Sequence, residues 1–594
     1  MNNMSLFRGK RLAAVIAALA FTGAIMAGCI QPGQEKTSSK TGVSFPQSPD
    51  TMLSLVSGNI RQRMENPETP KSIVINNQSV KFYGSLPALY KNRNYEPIWV
   101  GDKGPKPECR DMVEAVQNSY REGLSPENYD LKEIDYTLSR IDAATGSGKL
   151  PAPELLAELD ILLSNSFLKY ASNLLYGQIN PEQIDLELVF GEKPVDLNGL
   201  LISAVNENKI EETLHSLLPD YPAYGRLKTA LVEYREYEAE GGWKPIPAGQ
   251  KLKKGSRGER VTALKERLAV TGELDGSAAG GDVFDETLEQ AVRKYQETNG
   301  LYLDGVAGDS TIESLNVPAS VRVNQIELTL ERWRILPKSL GTKFVLVNIA
   351  NYHLYAVENN KDAINMRIVV GKPKWNTPIF SEQMTHVVFN PYWNIPPSIF
   401  RDDIAPLIKS DPDYMANRNI EAVGLPMEQA ESTDETEIAS AKEEYLSKVL
   451  SGNYRLRQNP GPSNPLGRVK FLFPNKHSVY LHDTPNRGYF QRAQRNFSHG
   501  CIRVEKPTEL AEFVLSSDPE WTVGRIESGI KRGRTQTIDL PVPVTVYILY
   551  FTAWANNDGT VSFHKDIYGL DQVLQNALLQ SGARKLDVAA KDIK

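Results

Sequence analysis

Two short motifs near residue 500 contain the residue types that nucleophilic chemistry requires. The sequence HDTP covers residues 482–485, and SHGCIR covers residues 498–503. A cysteine acyltransferase needs a thiolate, a base for its proton, N–H donors for the developing oxyanion and a pocket poor in water. Cys501 can supply the thiolate. His482, which ends an apolar strand before a Thr-Pro turn, can accept the proton, so these motifs predict acyl transfer through Cys501.

Other residues of the same loop fit this chemistry. Gly500 has no side chain, which allows a substrate carbonyl to approach the N–H groups of residues 500 and 501. Ser498 and Gly500 are both assigned as supporting residues of the site. We expect the field of four arginines to lower the pKa of the thiol and to attract carboxylates. They are Arg487, Arg492, Arg495 and Arg503. Because loop arginines are usually solvated, only Arg503 is assigned a role, as a contact for a substrate carboxylate or as a loop anchor.

Alternatives to this interpretation stay open. In an extended segment His499 would share a face with Cys501, so it is a rival base or a residue that shapes the oxyanion side. A single buried cysteine more often packs than reacts, but the accompanying histidines, glycine and arginine argue against packing alone. Cys501 could also pair with Cys109, which is distant in sequence and is interpreted as incidental.

Changes in hydrophobic period divide the rest of the chain into a multi-domain α+β protein. Residues 76–245 predict a helical scaffold domain, and residues 246–318 predict a compact three-helix module closed by glycine turns. Short β-branched strands begin near residue 344, so residues 319–572 predict a mainly β domain with a helical, acidic insertion at 400–465. Residues 573–594 are assigned to a C-terminal tail. The scaffold has an apolar stripe at helical spacing: Leu155, Leu159, Leu162, Leu163 and Phe167.

The N-terminus predicts export. Residues 1–28 combine three cations with an apolar run, and they end in small residues before Cys29, as in the lipobox of bacterial lipoproteins. An uncleaved single-span anchor is the alternative. Residues 29–75 are predicted to be a tether that holds the body away from a membrane. A formal net charge of −6 gives no electrostatic footprint for nucleic acid, and three cysteines in 594 residues cannot form a disulfide framework.

The combined motifs resemble the L,D-transpeptidase (YkuD-type) family. Besides HDTP and SHGCIR, the matching segments are VVGKP at 369–373, TP at 377–378 and NPYWNIPPSI at 390–399. The similarity is to the large, multi-domain periplasmic members and extends from about residue 82 to about residue 570. Residues 248–317 resemble peptidoglycan-binding domain 1. A DNA-binding helix-turn-helix is the alternative for that module, which export and acidity disfavour.

The resemblance implies a mechanism and its residues. Cys501 would be the nucleophile and His482 the general base and acid, oriented by the backbone carbonyl of Asp483. The substrates would be tetrapeptide stems of peptidoglycan, joined in 3→3 links, and carbapenems would acylate the same sulfur. No metal or organic cofactor is implied. Tyr392 and Trp393 are weaker candidates for substrate binding, with core packing as the alternative, and the insertion at 400–465 would cap the cleft or form a solvated helical face.

Two other functions and the membrane remain undecided by the sequence. A carboxypeptidase or hydrolase on the same fold would keep Cys501 and His482 but use water as the acceptor. A non-catalytic scaffold would act only through its wall-binding module. The residue after Cys29 is not Asp, which by analogy with lipoprotein sorting favours the outer over the inner membrane.

Overall fold

The computed structural model describes residues 49–67, 71–180, 195–425 and 435–581. The predicted signal peptide and Cys29 lie outside these residues. The described part holds a helical N-terminal region, a three-helix module and a mainly β domain, which confirms the predicted α+β class. Within these ranges, none of the helices combines the length and apolarity that a membrane crossing requires.

Eight helices form the N-terminal region. They are α1 (Pro49–Met64), α2 (Leu86–Asn92), α3 (Glu108–Gln117), α4 (Leu131–Gly146), α5 (Pro153–Tyr176), α6 (Leu197–Asn206), α7 (Ile210–His215) and α8 (Pro222–Ala239). Two small hairpins accompany them, β1 (Ser72–Ile75) with β2 (Gln78–Lys81) and β3 (Val100–Gly101) with β4 (Gly104–Pro105). Helix α5 is buried along most of its length and carries the predicted stripe.

The prediction of a tether up to residue 75 is wrong for its second half. Met52, Val56, Ile60 and Met64 recur every four residues along α1 and are buried in the same core as α5. Arg63 adds an ion pair to Glu158 at 2.9 Å. This spacing places four apolar side chains on one helix face, so residues 49–64 belong to the folded body.

The three-helix module has the helices that the sequence predicts. They are α9 (Glu259–Val270), α10 (Glu286–Thr298) and α11 (Asp309–Leu315). Asp285 caps α10 by accepting a hydrogen bond from the N–H of Leu288 at 2.9 Å. The segment that precedes α9 also packs on the module, because Ile246 is buried in its core and the guanidinium of Arg267 lies 3.8 Å from the ring centroid of Trp243.

Helix α12 (Ala319–Ile335) and a hairpin near the C-terminus lie between the N-terminal region, the three-helix module and the β domain. The hairpin joins β17 (Ala553–Ala555) to β18 (Val561–Phe563) in antiparallel pairing. The side chain of Asn299 in the module accepts a hydrogen bond from the N–H of Phe563 at 3.0 Å. Arg226 of the N-terminal region donates to the carbonyl of Ala555 at 3.3 Å. The module and the N-terminal region are therefore both attached to the hairpin through defined polar contacts.

The β domain is a closed sheet around an apolar core. Its strands are β5 (Lys343–Asn348), β6 (His353–Glu358), β7 (Lys361–Gly371), β8 (Phe380–Phe389), β12 (Val469–Leu472), β13 (Leu481–His482), β14 (Asn496–Ser498), β15 (Ile502–Val504) and β16 (Gln536–Leu549). The strand order is β14-β7-β15-β13-β12-β8-β16-β5-β6, and an additional β6–β7 pairing closes the ring. Two helices follow β15, α17 (Pro507–Leu515) and α18 (Val523–Lys531), and α17 contributes to the core.

The insertion between β8 and β12 has a small core of its own. It contains α13 (Pro397–Ile399), α14 (Ala405–Ser410), α15 (Tyr414–Asn417) and α16 (Glu435–Leu450), with a π-helical turn at Phe400–Ile404. It also contains a three-stranded sheet of β9 (Trp393–Asn394), β10 (Ile420–Val423) and β11 (Arg455–Gln458), which the sequence reading did not predict. The acidic residues at 428–434 lie outside the described residues.

The C-terminal tail predicted from residue 573 begins later. Helix α19 (Leu570–Gln580) buries Leu574 and Leu578 against α12, because its apolar residues recur at a spacing of four. Asp571 of this helix pairs with Arg332 at 2.6 Å. The helix is therefore part of the fold up to residue 580.

The buried face of α1 can be tested by trypsin cleavage after Arg61 and Arg63. Ile60→Ala removes a fully buried side chain, which costs about 2 kcal/mol or more of local stability and raises the population of the open helix about 30-fold. Cleavage should accelerate in proportion. The matched control is Leu55→Ala in the same helix, where the side chain is 41% exposed and the rate should change less than about twofold. Equal and rapid cleavage of all three proteins would mean that α1 is not packed.

Candidate active site

Strand pairing puts the two predicted reactive residues on one face of the sheet. Strand β13 pairs in parallel with β15, with Leu481 beside Ile502 and His482 beside Arg503. Leu481 and Ile502 are fully buried in the core below. Because side chains alternate along a strand, His482 and Cys501 lie on the opposite face, as diagonal neighbours on adjacent strands.

His482 is held in the tautomer that a general base needs. Its Nδ1 lies 2.6 Å from the backbone carbonyl oxygen of Asp483, which can only accept, so Nδ1 carries the hydrogen. This is the orienting carbonyl that the resemblance implied. Nε2 is then left unprotonated and able to accept a proton. Burial, and then the charge of Arg503, lower the pKa of His482 to about 3, so the imidazole is neutral at pH 7.

Cys501 is a free thiol. Its Sγ donates a long hydrogen bond of 3.8 Å to the carbonyl of Ser478, and Cys109 is also free and buried elsewhere. Burial raises the pKa of Cys501, and the backbone N–H of Tyr480, Lys470, the Tyr480 hydroxyl and Arg503 counteract this effect. The charge of Arg503 lowers the pKa of the thiol, as expected of the surrounding arginines, but desolvation outweighs the positive charges, so the net pKa is raised.

Hydrogen bonds hold the loop before Cys501 in place. Gly500 has φ +111°, a conformation that glycine adopts without strain, and its N–H donates to the hydroxyl of Ser498 at 3.2 Å. The same hydroxyl donates to the carbonyl of Cys501 at 2.6 Å. Thr377 Oγ1 donates to the Gly500 carbonyl at 2.8 Å and accepts from Gly371 at 2.9 Å. Because Ser498 occupies the Gly500 N–H, the N–H of Cys501 itself is the donor that this loop can offer to an oxyanion.

The four arginines have different environments. Arg503 is half-buried, its guanidinium lies 5.5 Å from the ring centroid of Tyr489, and its buried Nε has no hydrogen-bond partner among the described residues. Arg495 is a structural residue that donates to four backbone carbonyls, including that of Ile368 at 3.2 Å. Arg487 contacts Asp483 at 3.3 Å, and Arg492 lies over Tyr489 and Phe497. The charge of Arg503 lowers the pKa of Cys501.

His499 faces the insertion. Its ring lies 4.1 Å from the Trp375 ring centroid, and its Nε2 lies 3.1 Å from a carboxylate oxygen of Asp403, at an angle outside hydrogen-bond geometry. Asp403 belongs to the π-helical turn of the insertion. Burial lowers the pKa of His499. Its contacts therefore suit a residue that joins the catalytic loop to the insertion better than they suit the proton acceptor of Cys501.

The two aromatic candidates for substrate binding separate. Trp393 is buried in the core of the insertion, where the indole packs against other apolar residues, as in the core-packing alternative. Tyr392 is 39% exposed, and its ring lies 4.4 Å from the Arg457 guanidinium. Tyr392 remains available to a ligand.

Two residues of the site were missed by the sequence reading. Lys470 pairs directly with His482 across β12 and β13, and its Nζ lies 3.8 Å from the ring centroid of Tyr480. Tyr480 precedes His482 by two residues and so shares its face, with the two rings 5.7 Å apart. The alternation of Val469, Lys470 and Phe471 was the available signal, because it places a lysine on the face opposite the core.

Metal binding has no support in the described ranges. Within them, no three His, Cys, Asp or Glu side chains are grouped so that they could hold an ion.

Three family models match the chain. A scaffold domain matches residues 84–231, a "Putative peptidoglycan binding domain" matches 257–315, and the L,D-transpeptidase catalytic domain named YkuD matches 342–544. His482 and Cys501 lie within the last of these.

A curated relative and solved structures are also similar. A "Putative L,D-transpeptidase" of Haemophilus influenzae is 32% identical over 286 residues, which cover 46% of this chain and 56% of the relative. The match thus spans little more than half of the relative's length. L,D-transpeptidase structures from Xylanimonas cellulosilytica and Stackebrandtia nassauensis are 17% and 14% identical, with TM-scores of 0.16 and 0.21. They cover 52% and 53% of this chain and 100% of each structure.

At these TM-scores the two structures add nothing to the assignment, which depends on the family models and the curated relative. Residues 342–544 are therefore similar to the L,D-transpeptidase catalytic domain (YkuD), and residues 257–315 are similar to a putative peptidoglycan binding domain, in a chain of several domains.

Proposed function

We propose that this protein is a peptidoglycan L,D-transpeptidase that forms 3→3 cross-links through a thioester on Cys501. The observation that carries the proposal is the parallel pairing that sets His482 and Cys501 on one face, with Nδ1 of His482 bonded to the Asp483 carbonyl at 2.6 Å. This arrangement leaves Nε2 as the proton acceptor of a thiol nucleophile.

In the first step a donor stem acylates the enzyme. The Cys501 sulfur attacks the carbonyl carbon of residue three of a tetrapeptide stem, and its proton passes to Nε2 of His482. The oxyanion accepts a hydrogen bond from the N–H of Cys501. The bond to the terminal D-alanine then breaks, and His482 returns the proton to the departing amine. The enzyme is left as a thioester with a neutral imidazole.

In the second step an acceptor stem releases the enzyme. The side-chain amine of its third residue attacks the thioester carbonyl and loses a proton to His482. The C–N bond forms as the C–S bond breaks, and the proton returns to the sulfur. A neutral imidazole suits both steps, because it can take a proton from each nucleophile in turn. Water in place of the amine would give a carboxypeptidase.

Arg503 is suited to hold a carboxylate of the stem. Its side chain is half-buried and its Nε has no partner among the described residues, so an incoming carboxylate would satisfy an otherwise unpaired donor. Its position beside His482 in the β13–β15 pairing puts that contact next to the reacting carbonyl.

We propose that the three-helix module delivers the catalytic domain to the wall. The module is bonded to the β17–β18 hairpin through Asn299 and Phe563 and through an ion pair between Glu313 and Lys565 at 3.0 Å. A module bound to glycan would therefore hold the catalytic domain near the peptide stems of that glycan. This raises the effective concentration of the substrate.

The cellular location is a further part of the proposal. We infer that Cys29 is acylated and holds the mature protein at a membrane on the periplasmic side, the outer membrane in preference to the inner. The support is the cationic and apolar N-terminal run that ends in small residues before Cys29.

Fractionation of a two-membrane bacterium tests this location. The wild-type protein should sediment with membranes of outer-membrane density, whereas Cys29→Ala removes the acceptor of the lipid and should prevent membrane attachment by acylation. A Cys29→Ala protein that sediments with the membranes as the wild type does would support the uncleaved span instead.

Product analysis tests the reaction. Purified tetrapeptide muropeptides, incubated with the protein, should yield a dimer whose mass is the sum of two monomers minus one D-alanine. Cys501→Ala should reduce this product below detection, while Cys109→Ala, at a buried thiol remote from the motif, should leave it unchanged. Release of D-alanine without a dimer would indicate a hydrolase, and unchanged muropeptides would indicate a wall-binding scaffold.

The two histidines can be separated by matched variants. His482→Gln removes the proposed base and should lower the rate of D-alanine release about 10²–10⁴-fold. His499→Gln removes a contact with the insertion and should lower that rate less than about tenfold. The reverse order of effects would assign the base to His499.

A further inference from the structure

An unpaired lysine lies on the face of the sheet that carries the reactive thiol. Lys470 stands directly opposite His482 in the antiparallel β12–β13 pairing, between Val469 and Phe471, which are fully buried in the core. Its side chain is half-buried, and within the described residues it forms no ion pair with a carboxylate. A half-buried ammonium without a partner carries a desolvation cost that calls for a compensating group.

The contact that Lys470 does make leads to the sulfur. Its Nζ lies 3.8 Å from the centroid of the Tyr480 ring, within the range of a cation–π interaction. Tyr480 lies beside the Cys501 segment, since its carbonyl accepts a hydrogen bond from the N–H of Ile502 at 3.1 Å, and the hydroxyl and backbone N–H of Tyr480 lower the pKa of Cys501. Lys470, Tyr480 and Cys501 therefore form a cluster. In this cluster Lys470 and Tyr480 can both stabilise a negative charge on the Cys501 sulfur.

The charge of Lys470 also acts directly on Cys501. It opposes the rise that burial causes in the pKa of the thiol, and it does so more strongly than Arg503. The negative sulfur reciprocally favours the charged form of Lys470, whose pKa burial lowers. This reciprocity is what an ion pair between the two groups requires.

We propose that Lys470 is the resident counter-ion of the Cys501 thiolate, held over the ring of Tyr480 so that it stabilises the sulfur each time negative charge forms there. The inference rests on Cys501 being the nucleophile. Lys470 acts through the sulfur and not on the substrate, so it is a positioning residue. It keeps its proton throughout: the thiol proton leaves to His482, and the ammonium stabilises the thiolate as the C–S bond forms and again as it breaks.

The same cation has the opposite effect on His482. Lys470 and Arg503 both lower the pKa of that imidazole, so they disfavour an imidazolium while they favour a thiolate. A proton that reaches His482 is therefore passed on readily to the departing amine. Loss of Lys470 should make the thiol less acidic and the imidazole more basic at the same time.

A substrate carboxylate is the other anion that Lys470 could meet. The observations favour the sulfur, because the Lys470 ammonium lies over the ring of Tyr480. In the protein without substrate its charge already counteracts the rise that burial causes in the pKa of Cys501. Arg503, with its partnerless Nε, is the better carboxylate contact. The experiment below contains no carboxylate ligand, so it separates the two roles.

The test is the pH dependence of Cys501 alkylation by iodoacetamide, followed by mass spectrometry of the peptide that contains Cys501. In Lys470→Met the thiol pKa should rise by about one unit. A more basic thiolate is intrinsically more reactive, so the limiting rate at high pH should rise about threefold and the rate on the low-pH side should fall about threefold. The two profiles should therefore cross.

Three comparisons keep the result interpretable. Lys470→Arg keeps the charge and should retain the wild-type thiol pKa, and Lys470→Gln should reproduce the Met variant. Lys343→Met is the matched control: Lys343 is also a strand lysine over an aromatic ring, with Nζ 4.6 Å from the Phe513 centroid, but on β5, three strands away from β12. Its profile should superimpose on the wild type. Thermal unfolding of each variant checks that it is folded.

The proposal is overturned by coincident profiles, by a uniform fall in rate without a shift of pKa, or by an arginine variant that behaves like the neutral ones. A raised KM for the donor stem with an unshifted alkylation profile would assign Lys470 to the substrate carboxylate instead. Because alkylation needs no peptidoglycan, a protein that fails to cross-link stems but shows crossed profiles would refute the proposed function and leave this inference standing.

Discussion

The parallel pairing of β13 with β15 is the constraint on which the rest of the site depends. The pairing is only two residues long, yet it buries Leu481 and Ile502 in the core and so directs His482 and Cys501 to the opposite face. A shift of one residue would exchange buried and reactive side chains. Neighbouring strands on both sides hold this register, since β12 pairs with β13 and β7 pairs with β15. The closed ring thus supports a precise local geometry that two short strands could not maintain alone.

Burial and positive charge compete at this site, and burial prevails for both reactive groups. Desolvation raises the pKa of Cys501 and lowers that of His482 to about 3, so both groups are neutral in the resting protein. A neutral thiol is protected from unwanted reactions, whereas attack on a carbonyl requires charge to form on the sulfur. Lys470, Arg503 and the donors of Tyr480 reduce the cost of that charge. The arrangement links a low resting reactivity to an environment that favours the thiolate when a substrate is in place.

Much of this organisation could be predicted from the sequence, and the failures have physical reasons. The three-helix module and the helix at Pro153–Tyr176 follow from apolar spacing, which directly reports a buried face. Lys470 could not be placed beside His482, because that contact depends on strand register between segments that the linear pattern does not relate. The net rise in the pKa of Cys501 was not predicted for a similar reason. The arginines of the loop can be seen in the sequence, whereas the desolvation of the sulfur depends on the fold.

The extent of the folded body was also underestimated at both ends. Residues 49–64 and 570–580 form helices whose buried apolar residues recur every four positions and pack on the folded body. For Trp393 the sequence left substrate binding and core packing open, and the side chain is buried in the insertion. In each case the outcome was decided by a partner surface distant in sequence.

The most direct test of the account is the mass of the protein during turnover with a tetrapeptide donor and no acceptor amine. We expect an adduct whose mass is that of the tripeptide, the stem after loss of D-alanine, minus one water. Peptide mapping should locate the adduct on Cys501, and hydroxylamine should remove it, as for any thioester. D-alanine release without any adduct under rapid quenching, or an adduct on another residue, would contradict the central claim.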